Sequence, residues 1–153
     1  LRGDQLSALA VLKRETGAPI ALGETVTGRR GFLPLLLEGA IDVATLDIGW
    51  TGGITEAKKI ASLADSFAVP IAPHDCTGPV SLAVGAHLLF ASPNWLLQET
   101  VRAFYRTWYP EIADPLPRIE GSFLYLDERP GHGVELREDL LQRKDVMHRV
   151  YEL

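Results

Sequence analysis

Val69-Pro70-Ile71-Ala72-Pro73-His74 is a short apolar run that ends on an ionisable side chain, and the same form recurs along the chain. Upstream stand Pro19-Ile20-Ala21-Leu22, closing at Gly23-Glu24, and Val43-Ala44-Thr45-Leu46, closing at Asp47. Downstream stands Trp95-Leu96-Leu97-Gln98, closing at Glu99. The closing residues Glu24, Asp47, His74 and Glu99 follow one another at 23-, 27- and 25-residue intervals. Runs this short and apolar suit buried parallel strands, which need crossovers of a dozen or more residues between them.

Helical patterns fill those crossovers. A helix is expected from Asp4, as N-cap, to Thr16, with Leu6, Leu9, Ala10 and Leu12 as its apolar stripe and Gly17 as its stop. Another spans about Arg30 to Glu38, with Pro34 either kinking it or marking its first turn. Ile54, Ala57, Ala61, Ala64 and Phe67 mark a third. Pro79 opens a fourth, which carries Leu82, Ala86 and Phe90. The whole reads as consecutive βα units. Barrels and open doubly wound sheets both collect ligands at strand C-termini, so the repeat alone leaves either architecture open. Four units are half of an eight-stranded barrel. The chain also opens on Leu1, with a helix before its first strand, the form expected of a chain cut in mid-domain.

Composition excludes several classes. The chain has 153 residues, 46% hydrophobic and 23% charged, which suits a folded domain rather than a disordered segment. A net charge of -5 without a Lys/Arg-rich block argues against nucleic acid or an anionic membrane as partner. Cys76 is the single cysteine, so no intrachain disulfide forms and a cytoplasmic location fits. No apolar run approaches the ~20 residues of a bilayer span, and no signal-peptide pattern opens the chain.

After Glu99 the pattern changes. Phe104 to Pro117 is rich in aromatics and proline, Ile119 to Leu126 alternates around Gly121 as a strand or hairpin, and Pro130-Gly131-His132-Gly133 is a turn. Arg137 to Val150 is expected to form a terminal helix. The expected division is residues 1–101 as barrel and 102–153 as an extension that packs on something outside it.

The strand ends and their flanks resemble the enolase superfamily, specifically the mandelate racemase/muconate lactonizing enzyme group. The matching stretches are Pro19 to Glu24, Leu46-Asp47-Ile48-Gly49 with Gly52-Gly53-Ile54-Thr55-Glu56-Ala57, Ala72-Pro73-His74 with Gly78-Pro79, and Pro93-Asn94 leading to Gln98-Glu99. Pro130 to Val134 matches a closing turn, where His132 is a variable position. Each motif alone is weak; their order and spacing make the match. The resemblance implies an α/β fold, the C-terminal half of a TIM-like (β/α) barrel with about four βα units. Its tail would pack on a capping domain absent from this chain. It implies Mg2+ as cofactor, with Glu24 as a metal ligand. It implies an Asp47–His74 pair for acid/base work and Glu99 near the substrate carboxylate. Two further metal ligands, a second base and the capping domain find no match here. Relatives of this family are commonly oligomeric, so a homo-oligomer is expected of a full-length protein.

The chemistry so implied is abstraction of a proton next to a carboxylate. The enediolate that forms carries extra negative charge, which a hard cation offsets. Oxygen donors suit magnesium, so a carboxylate at residue 24 is the right residue type. Histidine is the side chain suited to proton transfer near neutrality, and a neighbouring carboxylate fixes its tautomer. Each position also has a plainer reading. Glu24 can be a solvated strand-end glutamate, His74 a core histidine beside an Asp capping the glycine-rich loop, and Glu99 a barrel-mouth ion pair. Trp50, Asp75 and Cys76 follow strand ends and are candidates for the substrate pocket, with loop packing as the alternative. Arg29 and Arg30 can meet an acidic substrate or stay solvated. Gly49 to Gly53 lacks the spacing of a phosphate loop and is read as a tight turn. His87 and His148 are assigned structural or solvent-exposed places. The small-molecule substrate expected is a sugar acid, dehydrated to a 2-keto-3-deoxy acid by a hydro-lyase; the dehydratase-like His74-to-Pro79 loop favours this branch. A racemase, epimerase or cycloisomerase is the alternative, and a non-catalytic module is a third possibility, inactive as an isolated chain.

Overall fold

The computed structural model describes residues 5–126 and 128–151. The proposed N-cap Asp4 lies outside them. Helix α1 (Leu6–Thr16) precedes strand β1 (Ala21–Leu22), α2 (Gly28–Leu37), β2 (Val43–Ala44), the one-turn α3 (Ile48–Thr51) and α4 (Ile54–Ser66). An extended segment at Ile71, α5 (Pro79–Phe90) and a last extended segment at Trp95 complete the repeat.

The sheet runs in chain order. β1 pairs parallel with β2, Ala44 bridges parallel to Ile71, and Ile71 bridges parallel to Trp95. An open doubly wound sheet reverses its order at a switch point; these four neighbours do not, which is the barrel pattern. The third and fourth strands are reduced to single bridges, yet backbone hydrogen bonds carry the register to the expected ends. The His74 N–H is donated to Leu46 O at 3.0 Å and the Glu99 N–H to Pro73 O at 3.2 Å.

Alternation divides the sheet into two faces. Leu22, Ala44, Leu46 and Ile71 join the hydrophobic core beneath the helices, with Phe32, Leu35, Ile60, Ala61, Ala64 and Leu88. Ala21, Val43, Thr45, Ala72 and His74 line the opposite face. In α4 the buried stripe is Ala57, Ile60, Ala61 and Ala64, while the flanking Ile54 and Phe67 are exposed. In α5, which carries Leu82, Ala86 and Phe90 as expected, nearly every side is buried, and only its last residue, Phe90, is 76% exposed. Pro34 lies inside α2 rather than in its first turn, because the helix starts at Gly28.

Two glycines set close approaches. A Cβ on Gly85 of α5 would lie 2.8 Å from Gln98 Oε1 and 3.2 Å from Pro73 Cβ, so a side chain there would push the helix off the third and fourth strands. Gly23 combines φ +141° with Phe32 ring carbons 2.6 and 2.7 Å from an added Cβ.

The tail folds differently from expectation. Short helices α6 (Arg102–Arg106) and α7 (Tyr109–Ile112) precede a hairpin of β3 (Arg118–Glu120) and β4 (Phe123–Tyr125). Tyr109 is fully buried, and Ala113 and Val134 pack with Ala83 of α5. This part of the extension therefore packs inward on the barrel helices. The terminal helix expected from Arg137 to Val150 is absent; only a 3-10 turn at Leu140–Gln142 forms. Leu140 is buried but Leu141, Met147 and Val150 are exposed, so this stretch buries little apolar surface, and most helical stability comes from such burial. Among the described residues no helix is long and apolar enough to cross a membrane.

Gly23→Ala is expected to destabilise the chain by about 1–3 kcal/mol through overpacking against Phe32 and backbone strain. Denaturant unfolding of the two proteins checks this; equal midpoints would contradict the close packing.

Candidate active site at the strand C-termini

Asp47 ends the second strand and is fully buried. Its Oδ1 accepts the N–H groups of Gly49 at 2.8 Å and Trp50 at 3.0 Å, which caps α3. The stretch read as a tight turn is thus a single helical turn held by this side chain. Its Oδ2 accepts from Thr77 Oγ1 at 3.0 Å and lies 3.0 Å from His74 Nδ1. A carboxylate can only accept, so Nδ1 carries the proton and the lone pair of the neutral ring sits on Nε2.

His74 reaches this bond from the end of the third strand, one element along the sheet. Its Nε2 lies 4.0 Å from Glu99 Oε2, beyond a hydrogen bond but within strong electrostatic range. Glu99 Oε2 also accepts the Asp75 N–H at 3.3 Å. Glu24, His74 and Glu99 all line one cavity of about 450 Å³, with Ala21, Val43, Thr45, Ala72, Leu96 and Leu97. The cavity is the face of the sheet turned away from the helices.

The remaining candidates fall elsewhere. Asp75 does not line the cavity: it is fully buried, accepting from Tyr109 Oη at 2.7 Å and from the Val101 N–H at 3.1 Å. Alternation explains this, since residues 74 and 75 point to opposite faces. Burial pushes the Asp75 carboxyl above the usual carboxylate range, and the Tyr109 hydrogen bond opposes that. Trp50 and Cys76 are exposed, and neither lines the cavity; Cys76 Sγ is 4.0 Å from His74 Nδ1. Partial burial, followed by the fields of Asp47, Asp75, Glu99 and Glu24, pushes the Cys76 thiol up, away from nucleophilic thiolate character. Arg29 faces Glu56, whose carboxylate accepts the Arg29 N–H at 2.9 Å and a guanidinium contact at 3.3 Å. His148 is exposed, and His87 and His132 lie on a separate cavity beside the tail. Sequence reasoning gave no role to Thr77 or Tyr109. Thr77 lies in the quoted His74-to-Pro79 loop, but nothing in its type marked it as a donor to Asp47.

For a cation the chemistry fits in part. Glu24 presents carboxylate oxygens to the cavity, and the same four carboxylates that raise the Cys76 thiol favour positive charge there. Among the described residues no group of three His, Cys, Asp or Glu is placed to hold a metal. Of the residues expected to bind a metal, Glu24 alone belongs to this chain, and it lines the cavity.

Parallel strands in unbroken chain order, with a buried Asp paired to a half-buried His and two carboxylates at their C-terminal ends, define a segment of a βα-barrel site. The comparison with family models agrees: residues 1–140 match the family described as enolase C-terminal domain-like, and the chain belongs to it. Among curated relatives, the D-galactonate dehydratase of Xanthomonas oryzae pv. oryzae is 38% identical over 141 residues, 86% of this chain and 36% of that protein. That of Ralstonia pickettii is 34% identical over 143 residues, 90% of this chain and 37% of that protein. The chain thus spans a little over a third of the length of these relatives. Among solved structures, an enolase from environmental sequencing of the Sargasso Sea is 40% identical with TM-score 0.86, covering 94% of this chain and 38% of its own. An enolase of the mandelate racemase subgroup from Agrobacterium tumefaciens is 42% identical with TM-score 0.85, covering 93% and 39%.

Asp75 makes a pH dependence testable. Its folded pKa is raised, so the native state binds more protons than the unfolded state between 3.8 and the raised value. Its contribution therefore weakens as pH rises through that window. Asp75→Asn removes this slope, and the stability difference of wild type minus variant should fall as pH increases from 4 to 7 in denaturant unfolding. A rise instead would reverse the assigned direction.

Proposed function

We propose that these residues form the proton-transfer side of a magnesium-dependent sugar-acid dehydratase. The reaction removes the proton α to a carboxylate and the β-hydroxyl, giving a 2-keto-3-deoxy acid after tautomerisation. The observation that carries this reading is the convergence of Glu24, His74 and Glu99 on one cavity, with His74 Nδ1 held 3.0 Å from Asp47. Relatives named D-galactonate dehydratase support a sugar acid as substrate.

With Nδ1–H committed to Asp47, protons enter and leave His74 at Nε2. As the imidazolium, His74 donates that proton to the β-hydroxyl, the C–O bond breaks, and water departs. Asp47, buried beside Nδ1, stabilises the charged ring before the transfer and keeps the neutral ring in one tautomer afterwards. Glu99, beside Nε2 and accepting the Asp75 N–H, hydrogen-bonds to the substrate carboxylate only as its protonated acid, or else through a neighbouring donor. Bound magnesium would offset the second negative charge that develops on that carboxylate, and Glu24 would be one of its ligands. This scheme assigns no residue of the chain to removal of the α-proton. The mandelate racemase subgroup of a structural neighbour favours one alternative, in which His74 exchanges the α-proton itself and no hydroxyl leaves.

A polypeptide of the relatives' length carrying these residues, assayed with magnesium against a panel of sugar acids, is expected to form 2-keto acid. His74→Asn should lower kcat by about 10²–10⁴-fold, the usual worth of general acid–base catalysis. Solvent deuterium incorporation without keto acid would instead support racemisation, and a His74→Asn protein with full kcat would end the proposal. The 153-residue chain alone, with one assigned ligand, is expected to show no saturable magnesium uptake in calorimetry and no turnover.

A further inference from the structure

Asp75 is buried as completely as Asp47, yet the proton transfer leaves it without a part. It directly follows His74, and its side chain reaches across to the segment after Glu99. Its Oδ2 accepts the Val101 N–H at 3.1 Å, and its own N–H is donated to Glu99 Oε2 at 3.3 Å. Its Oδ1 accepts from Tyr109 Oη at 2.7 Å. Tyr109 comes from α7 and is fully buried. Its ring packs edge-on to Trp108 at 4.6 Å between centroids and tilted against Phe104 at 6.2 Å. The hydroxyl is therefore delivered by a side chain with no freedom to swing away.

We propose that Tyr109 and Asp75 are a positioning pair that fixes His74 and Glu99 relative to each other across the cavity. The role rests on the reading that His74 and Glu99 act on one substrate. Neither Tyr109 nor Asp75 lines the cavity, so both act through the residues that do. Asp75 touches the backbone two residues past Glu99 and the Glu99 carboxylate itself, while its own backbone continues from His74. Shortening or freeing this link lets the two cavity groups drift apart, and a misplacement of about 1 Å costs reaction rate on the order of 100-fold. Burial without a full set of donors is unfavourable for the Asp75 carboxylate, so loss of the Tyr109 hydroxyl also loosens Asp75 itself.

Tyr109→Phe removes the hydrogen bond and keeps the ring. In the polypeptide that turns over substrate, we expect kcat to fall about 10–100-fold with KM changed by less than about threefold. Asp75→Asn can donate to Tyr109 Oη and accept from the Val101 N–H, so it should retain kcat within about fivefold, while Asp75→Ala falls with Tyr109→Phe. A Tyr109→Phe protein with kcat within about twofold of wild type overturns the pair, as does equal loss in Asp75→Asn and Asp75→Ala. If Tyr109→Phe does not fold, the two Asp75 variants decide. If the wild type acts on no sugar acid, the functional reading fails by itself, and the His74 Nδ1–H resonance becomes the readout. Displacement of that resonance in Tyr109→Phe sustains the pair; an unchanged resonance removes it.

Discussion

Burying Asp47 strips its charge of water, a loss of several kcal/mol that only specific donors offset. Four supply that replacement: two backbone N–H groups of α3, the Thr77 hydroxyl and the His74 ring. The same four contacts join the loop after the second strand to the loop after the third. His74 is thereby held in orientation by a group that cannot move without exposing unpaired donors in its own helix. The demand for satisfied hydrogen bonds and the demand for a fixed imidazole coincide in one carboxylate.

That carboxylate sits where it does because the sheet runs in chain order. Parallel neighbours bring successive strand ends to one edge, and the bonds from His74 to Leu46 and from Glu99 to Pro73 keep the steps between them short. Alternation then assigns Leu22, Ala44, Leu46 and Ile71 to the helix-covered core and leaves the other face for the cavity. Packing and site are two sides of one period.

This division also explains what was legible in the sequence. Glu24, Asp47, His74 and Glu99 each close an apolar run, and a run with a charged end is visible without coordinates. The α4 stripe was visible for the same reason, through its 3.6-residue period. Asp75 was a pocket candidate with packing as the alternative, and strand alternation, which sets it opposite His74, settles it on the packing side. The terminal helix expected over Arg137 to Val150 does not form, because local sequence does not say whether a partner surface exists to bury a helix there. Tyr109 carried no usable signal. Its partner lies 34 residues away, and a tyrosine among aromatics and prolines looks the same whether it packs or holds a carboxylate.

The electrostatics of the cavity bear on what must enter it. Glu24 and Glu99 line its wall, Asp47 and Asp75 lie buried nearby, and His74 is the one lining residue described that can carry positive charge. Two like charges about 5 Å apart at a protein surface repel by about 3 kcal/mol. A substrate carboxylate entering this field alone would meet that repulsion, and its enediolate, with a further negative charge, would meet more. Proton abstraction beside a carboxylate therefore becomes reasonable here only when cationic charge is added at the Glu24 side of the cavity. In the proposed reaction the acidic wall and the Asp47-paired imidazole would then serve different ends of one substrate: the wall would retain the cation that accepts its carboxylate, and the imidazole would supply a proton where a hydroxyl must leave.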